Sequence, residues 1–193
     1  NLEILNLEGM LCFNYTSGEK EAFVINDTGT SKRTSFVENK LPSVLTDEQI
    51  EEVNQNLDWA HVCYLDDIEC YEQVSKFTIP YSVDFCTTAD RTIYLDVLEK
   101  ATVIFDSRER KELYDNIDII PPIILHDENG FEIIRKSKVV HEKSMTPTEG
   151  LNVNGAGDTF AALFIKNCIE NKIFEAAEIA MKETTKILIS RKQ

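Results

Sequence analysis

Apolar and polar positions alternate in two different ways along the chain, and the change falls at Pro42. Before it, residues 2–7, 10–15, 22–25 and 34–37 are short apolar runs, broken by Thr16-Ser17-Gly18-Glu19-Lys20 and by a loop with Asp27, Gly29 and Ser31. Short runs bounded by turn residues predict antiparallel strands. A sheet that small needs a surface to pack on. After Pro42, apolar runs alternate with helically spaced segments. Thr46, with Gln49 three residues later, forms a capping box and predicts a helix through about Leu57. Strands are predicted at 60–65, 79–85, 102–105 and 123–125, with helices at 67–76, 90–100 and 107–116 between them. Ile93, Val97 and Leu98 are expected on one side of the second of these helices. Asp127-Glu128-Asn129-Gly130 is a turn from which 131–134 pairs back, and Val139-Val140 marks a further strand.

The C-terminal part predicts two helices. One begins near Gly157 and contains Phe160-Ala161-Ala162-Leu163-Phe164-Ile165, apolar all round and so destined for burial. The other runs over 173–189, with Ile173, Ala176, Ala177, Ala180, Met181, Ile187 and Leu188 at helical spacing. The β-α order implies an α/β fold: a mostly parallel sheet between two helical layers, α/β/α, with a small antiparallel layer attached. The expected division is residues 1–41 for the antiparallel segment and 42–193 for the α/β core.

Composition narrows the partners. A chain of 193 residues, 42% hydrophobic and 28% charged, has enough apolar surface for a substantial core. Its apolar runs are too short to span a bilayer, so a soluble protein is expected. The net charge of -14 argues against nucleic acid and anionic membranes as partners, which require clustered Lys and Arg. An anionic small molecule would have to be held by local devices such as backbone amides, helix N-termini, a divalent cation or a few basic side chains. Cys12, Cys63, Cys70, Cys86 and Cys168 are odd in number and lack C-x-x-C spacing, which reads as reduced thiols in the cytoplasm. His61, His126 and His141 are scattered and do not form a zinc pattern.

The segment with the most chemistry is Asn152-Val153-Asn154-Gly155-Ala156-Gly157-Asp158-Thr159-Phe160. Glycines before a buried helix let a ligand approach the main chain, and the first helical amides attract anions. An Asp there can accept the proton of a hydroxyl beside a bound phosphate. A short G-x-G is also an ordinary loop-to-helix turn.

The nine residues together resemble the C-terminal signature of the ribokinase (PfkB) family of small-molecule kinases. The resemblance implies a ribokinase-like fold with an antiparallel β-lid over the acceptor. It also implies ATP-dependent phosphorylation of a hydroxyl on a sugar or sugar-like molecule, with Mg2+ as cofactor. Gly155, Ala156 and Gly157 would form the anion hole, and Asp158 would be the catalytic base. Asn152 departs from the Asp the family often carries there.

Asp106-Ser107-Arg108-Glu109 resembles the family's N-x-x-E motif, linked to Mg2+ and phosphate through water, with Asp106 in place of Asn. The same residues read equally as a helix cap, with Glu109 on the first turn. Asp84 and Arg91 resemble a strand-end Asp and a later Arg, and Asp84 also suits a simple turn cap. Residues 125–130 stand where the family has T-x-G-x-x-G beside the nucleotide; Gly130 remains, while Leu125 and Asp127 replace Thr and Gly. His126 reads there as a turn residue.

The resemblance spans most of the chain without a counterpart of the family's Gly-Gly acceptor segment. A nucleoside kinase is the nearest variant, and the lid is the surface through which a homodimer would form. A ribokinase-fold binding or regulatory protein with little catalysis is the alternative.

Overall fold

A computed structural model describes residues 21–26, 33–38, 46–68, 70–146, 151–169 and 171–191. Its contacts divide the chain into two units, one of Pro42–Thr146 and one of Asn1–Leu41 with Pro147–Gln193. The expected strands at 2–7 and 10–15, and the turn after them, lie outside the described residues.

In the second of these units, β1 (Glu21–Asn26) and β2 (Arg33–Glu38) pair antiparallel as a two-stranded sheet of their own, with Glu21 opposite Glu38. Both strands lie where the apolar runs predict them.

The unit of Pro42–Thr146 begins with α1 (Asp47–Asn56), opened by the capping box that the sequence predicts. Gln49 N donates to Thr46 Oγ1 at 3.2 Å, and Thr46 N donates to Gln49 Oε1 at 2.9 Å. These reciprocal bonds satisfy two donors that a bare helix end leaves open. A six-stranded sheet follows in spatial order β3 (Ala60–Val62), β4 (Tyr81–Asp84), β5 (Val103–Ser107), β6 (Ile123–Asp127), β7 (Gly130–Arg135) and β8 (Lys138–Ser144). β3 to β6 run parallel, and β7 and β8 add antiparallel. Four adjacent parallel strands with crossovers between them are the α/β architecture the alternation implies.

Ala60, Tyr81, Val83, Ile104, Ile123 and Leu125 face one core, packed with Leu65, Val74, Val97 and Leu98 from the crossovers. Ser82, Val103, Phe105 and Ile124, at alternate positions of the same strands, are buried as well. Strands covered on both faces read as unbroken apolar runs, which is why Val103-Ile104-Phe105 carries no polar alternation. Each fully buried Leu, Ile or Phe contributes about 1.5–3 kcal/mol. Tyr81 keeps its polar end satisfied by donating to Val97 O at 2.7 Å, and burial pushes its phenol up to about 12.

The crossovers differ from expectation. The helices predicted at 67–76, 90–100 and 107–116 are mostly 3-10 segments: Tyr71–Lys76, Arg91–Tyr94 and Arg108–Tyr114. Only Leu95–Leu98 (α2) forms an α-turn among them. The 3-10 turn advances three residues per turn rather than 3.6, so the apolar face slips. Val97 and Leu98 are buried accordingly, while Ile93 is 56% exposed.

In the other unit, α3 (Ala156–Cys168) and α4 (Ile173–Ser190) pack on each other. α3 buries Phe160, Leu163 and Phe164; α4 buries Ala176, Ala177 and Ala180, a small-residue stripe that permits close approach. Among the described residues no helix is long and apolar enough to cross a membrane.

Gly130 opens β7 with φ +131°, a conformation L side chains rarely adopt. A Cβ there would lie 1.9 Å from Lys143 O, inside the β7–β8 pairing. Gly130→Ala is therefore expected to lower unfolding free energy by at least about 2 kcal/mol in urea titration, since strained backbone and a displaced strand both contribute.

Candidate functional site

The glycine segment folds as a turn into α3. Asn152 Oδ1 accepts from Asn154 N at 3.1 Å, closing the loop on itself. Gly155 follows at φ 70°, ψ 17°, the left-handed region that favours glycine, and stands at the helix N-cap. Its carbonyl takes two bonds from Thr159, one from N at 2.9 Å and one from Oγ1 at 2.7 Å. Arg191 Nη1 donates to Asn154 O at 3.1 Å, tying the end of α4 to the turn.

Ala156 N donates to Val153 O at 3.0 Å, so this amide closes the turn and is not open to a ligand. Among the described residues no acceptor faces the amides of Gly157 or Asp158. Those two donors open the first turn, where the helix dipole favours an anion. Asp158 is exposed, and its Oδ2 lies 3.8 Å from where a Cβ on Gly155 would stand. A side chain at Gly155 would strain the turn, while its Cβ would meet the carboxylate only at ordinary van der Waals distance. Gly155, Gly157 and Asp158 thus share one small surface, to which Ala156 contributes backbone shape.

A separate cluster forms where β4 and β5 end. Arg91 and Asp106 are fully buried and paired: Arg91 Nη2 and Nε donate to Asp106 Oδ2 at 2.9 and 3.2 Å. Arg91 also donates to Thr87 O and Ala89 O, each at 2.8 Å, and its guanidinium lies 3.7 Å over the Phe85 ring. Tyr114 OH donates to Asp106 Oδ2 at 2.6 Å. Burial, with the Asp106 carboxylate adding to it, pushes the Tyr114 phenol well above its ordinary value, so it stays a neutral donor. Asp106 Oδ1 accepts from Ser107 N at 2.7 Å and Arg110 Nε at 2.5 Å.

Asp106 was expected to support metal or phosphate, and the structure gives it another part. Both oxygens are occupied by protein donors and the side chain is sealed from solvent, so it serves as the internal anchor of the strand ends. Glu109 is exposed on the first turn of the 3-10 segment, and its N–H reaches Ser107 Oγ at 3.4 Å. Ser107 is the cap that the alternative reading of these residues foresaw. Glu109 keeps a carboxylate in solvent beside it. Gly130 belongs to the β6–β7 turn, where backbone pairing already requires glycine. His126 sits within β6, paired opposite Phe131, rather than in the turn.

Several members of this region carry no motif. Asp66 Oδ1 and Oδ2 accept from Cys86 N at 2.9 Å and Thr87 N at 2.8 Å, and from the Thr87 hydroxyl and Cys86 thiol. Burial opposes its ionisation, yet these bonds hold its carboxyl below the ordinary value. Lys111 Nζ meets Glu132 Oε2 at 2.5 Å, and Arg108 lies 3.5–3.6 Å from Asp127 and Glu132. The one local signal was the four-residue spacing of Asp106 and Arg110. Among the described residues no group of three or more His, Cys, Asp and Glu side chains is arranged to hold a metal ion.

No family model and no curated protein matches the sequence. Solved structures do resemble it. A nucleoside kinase of Methanocaldococcus jannaschii, an archaeal member of the ribokinase family, aligns with TM-score 0.63 at 16% identity, over 89% of this chain and 62% of its own. Ribokinase of Arabidopsis thaliana, solved with ribose and ATP, aligns with TM-score 0.62 at 14% identity, over 86% and 61%. Adenosine kinase of Schistosoma mansoni, solved with adenosine and AMP, aligns with TM-score 0.56 at 14% identity, over 74% and 54%. The fold is therefore ribokinase-like, and the chain spans less than two thirds of the length of these structures.

Two histidines give the sheet a pH dependence. Burial brings both His61 and His126 down to about 4. His61 Nδ1 lies 2.8 Å from Ser82 Oγ, which also accepts from Trp59 Nε1 at 3.0 Å. Between the ordinary value of 6.5 and about 4, the unfolded chain binds protons that the folded chain does not. Stability is thus full above that window and falls as pH drops through it, by roughly 1–3 kcal/mol per histidine. Urea titrations from pH 7 to pH 4 are expected to show this decline, and His126→Gln should make it shallower.

Proposed function

We propose that the chain is a phosphotransferase that uses ATP to phosphorylate a hydroxyl of a sugar or sugar-like molecule, nucleosides included. The observation that carries this reading is the first turn of α3, where a left-handed Gly155, two open amides and the exposed Asp158 carboxylate meet. The ribokinase-like fold supports it, as do neighbours solved with ribose and ATP, or with adenosine and AMP.

The chemistry asks little covalent work of the protein. Asp158 accepts the hydroxyl proton as the oxygen attacks the γ-phosphorus and the bond to the bridging oxygen breaks. The open amides of Gly157 and Asp158 receive the charge on the transferred phosphoryl group, already oriented for it. Glu109 fits the part of a carboxylate that holds Mg2+ through water, because it is exposed and unburdened while Asp106 is not. Mg2+, when bound, offsets the negative charge of the phosphates. A ribokinase-fold binding protein is the second reading, favoured by the 127–130 turn, where Asp127 is engaged with Arg108 and Gly130 serves strand pairing.

Asp158→Asn separates the two readings. In the full-length protein it should cut phosphoryl transfer about a hundred- to ten-thousand-fold while ATP affinity stays near wild type. Gly157→Val should instead weaken ATP binding, because a β-branched side chain crowds the open amides. Retention of most turnover by Asp158→Asn would refute the base assignment. ATP binding without transfer to any sugar or nucleoside would favour the binding protein. Glu109→Gln should raise the Mg2+ concentration needed for half-maximal turnover, and an unchanged requirement would return Glu109 to a helix-surface role.

A further inference from the structure

The edge of the sheet where the parallel strands begin carries an open groove that no sequence motif covers. It lies wholly within the unit of Pro42–Thr146 and measures about 690 Å³, a size that small-molecule sites occupy. One wall is the loop before β6. Ile117 and Ile119 are buried there, which leaves Asp118 and Ile120 facing outward, and the buried Pro121 and Pro122 stiffen the backbone that follows. The other wall is the β7–β8 turn, with Arg135, Lys136 and Lys138, together with Val140 of β8. Ser137 Oγ donates to Ile117 O at 3.2 Å and ties the two walls together.

The composition of the turn does not follow from its geometry. Arg135 pairs with Lys138, so Lys136 and Ser137 form a two-residue hairpin loop, and both take positive φ, 49° and 56°. Asn-Gly suits that conformation best, and other side chains are strained in it. Ser137 is held by its bond to Ile117 O, whereas Lys136 makes no side-chain hydrogen bond or ion pair among the described residues. A side chain kept in a disfavoured conformation without an internal partner points to an external one. Arg135 and Lys138 are likewise outside every ion pair of the described residues. Asp118 is the one carboxylate in the lining, and it pairs with none of the three cations; Asp115 and Glu142, the next carboxylates along the chain on either side, are not part of the lining. Beside these charges lies apolar surface, with Ile120 77% and Val140 46% exposed.

We propose that this groove binds a small organic anion, its charge met by Arg135, Lys136 and Lys138 and its apolar body resting on Ile120 and Val140. Three cations against one carboxylate in the lining favour a ligand with two or more negative charges. Phosphate esters and carboxylates share that chemistry, and both accept charge-assisted hydrogen bonds from Lys and Arg. The bond from Ser137 to the loop sets the walls before a ligand arrives, so little backbone ordering opposes binding. β6 is five residues long, about 16 Å, which separates the groove from the strand ends that Glu109 follows. The site is therefore a second one within this unit, and it does not depend on the phosphotransferase reading.

The test is a titration of the isotope-labelled full-length protein, read from its backbone amide NMR shifts. Phenyl phosphate and phthalate each join negative charge to an aromatic body; inorganic phosphate carries the charge alone, and benzyl alcohol the body alone. Phenyl phosphate or phthalate should shift the amides of residues 118–120 and 135–138 and bind more tightly than inorganic phosphate. Whichever of the two binds more tightly tells a phosphate ester from a carboxylate. Lys136→Gln combined with Lys138→Gln should weaken that binding about five- to thirty-fold, and raised salt should weaken it in the wild type. Ile120→Ser should remove the advantage over inorganic phosphate. Lys76→Gln, which removes a cation from the surface pair with Asp47 before β4, should change affinity by no more than about two-fold. The inference is overturned if no probe shifts those amides, if the double variant binds as the wild type does, or if benzyl alcohol binds as tightly as the anions. Should the double variant fail to fold by circular dichroism, Arg135→Gln is read in the same way.

Discussion

Burying Arg91 imposes the condition that the ends of β4 and β5 have to meet. A guanidinium sealed from water demands a carboxylate and acceptors on every side, and Asp106, Thr87 O and Ala89 O supply them. Such a pair adds little net stability when complete, yet losing one partner costs about 3–5 kcal/mol, because the other is left charged in a dry site. Its effect is on uniqueness. Asp66 fixes Thr87, Thr87 receives Arg91, and Asp106 answers from the next strand. The β3–β4 crossover, the loop after β4 and the start of the 3-10 segment after β5 are held in one arrangement.

The sheet was legible because its strands follow rules that local sequence obeys. Apolar runs mark strands buried on both faces, and Thr46 with Gln49 marks a helix start that nothing tertiary had to rescue. The crossovers were not legible. Residues 90–100 have helical spacing on paper, but Asp90 caps Thr92 N at 2.9 Å and Arg91 is drawn into the interior. Those tertiary demands tighten the turn and put Ile93 in solvent. The glycine segment was readable as a turn into a buried helix, and Gly155 has the conformation glycine is used for. That the Ala156 amide is already spent could not be read from residue types, because it depends on where Val153 O points. The Asp106–Arg110 pair went unread although its four-residue spacing lay in the sequence, and the other arginine comes from fifteen residues away.

Formal charge describes this chain poorly at short range. A surface of -14 repels anions at a distance, and salt confines that repulsion to about 8–10 Å. Within that range local devices set the field, and the open amides at the start of α3 are one of them. They are fixed by backbone geometry before any ligand arrives, so they require no reorganisation at the moment of binding.

Among the described residues β8 is the outermost strand of the sheet, and an outermost strand presents backbone that another chain could extend. Its pairing with β7 is interrupted where Ile133 meets His141 and Ile134 meets Val139, which leaves Val140 as an extra residue. Lys138, Glu142 and Lys143 are exposed along the same strand. A bulge bends the edge and charges make a partner strand costly to dock, so the apolar pair Val139 and Val140 is kept from seeding fibrous aggregation. The outer strand is thereby poorly suited to docking a further strand.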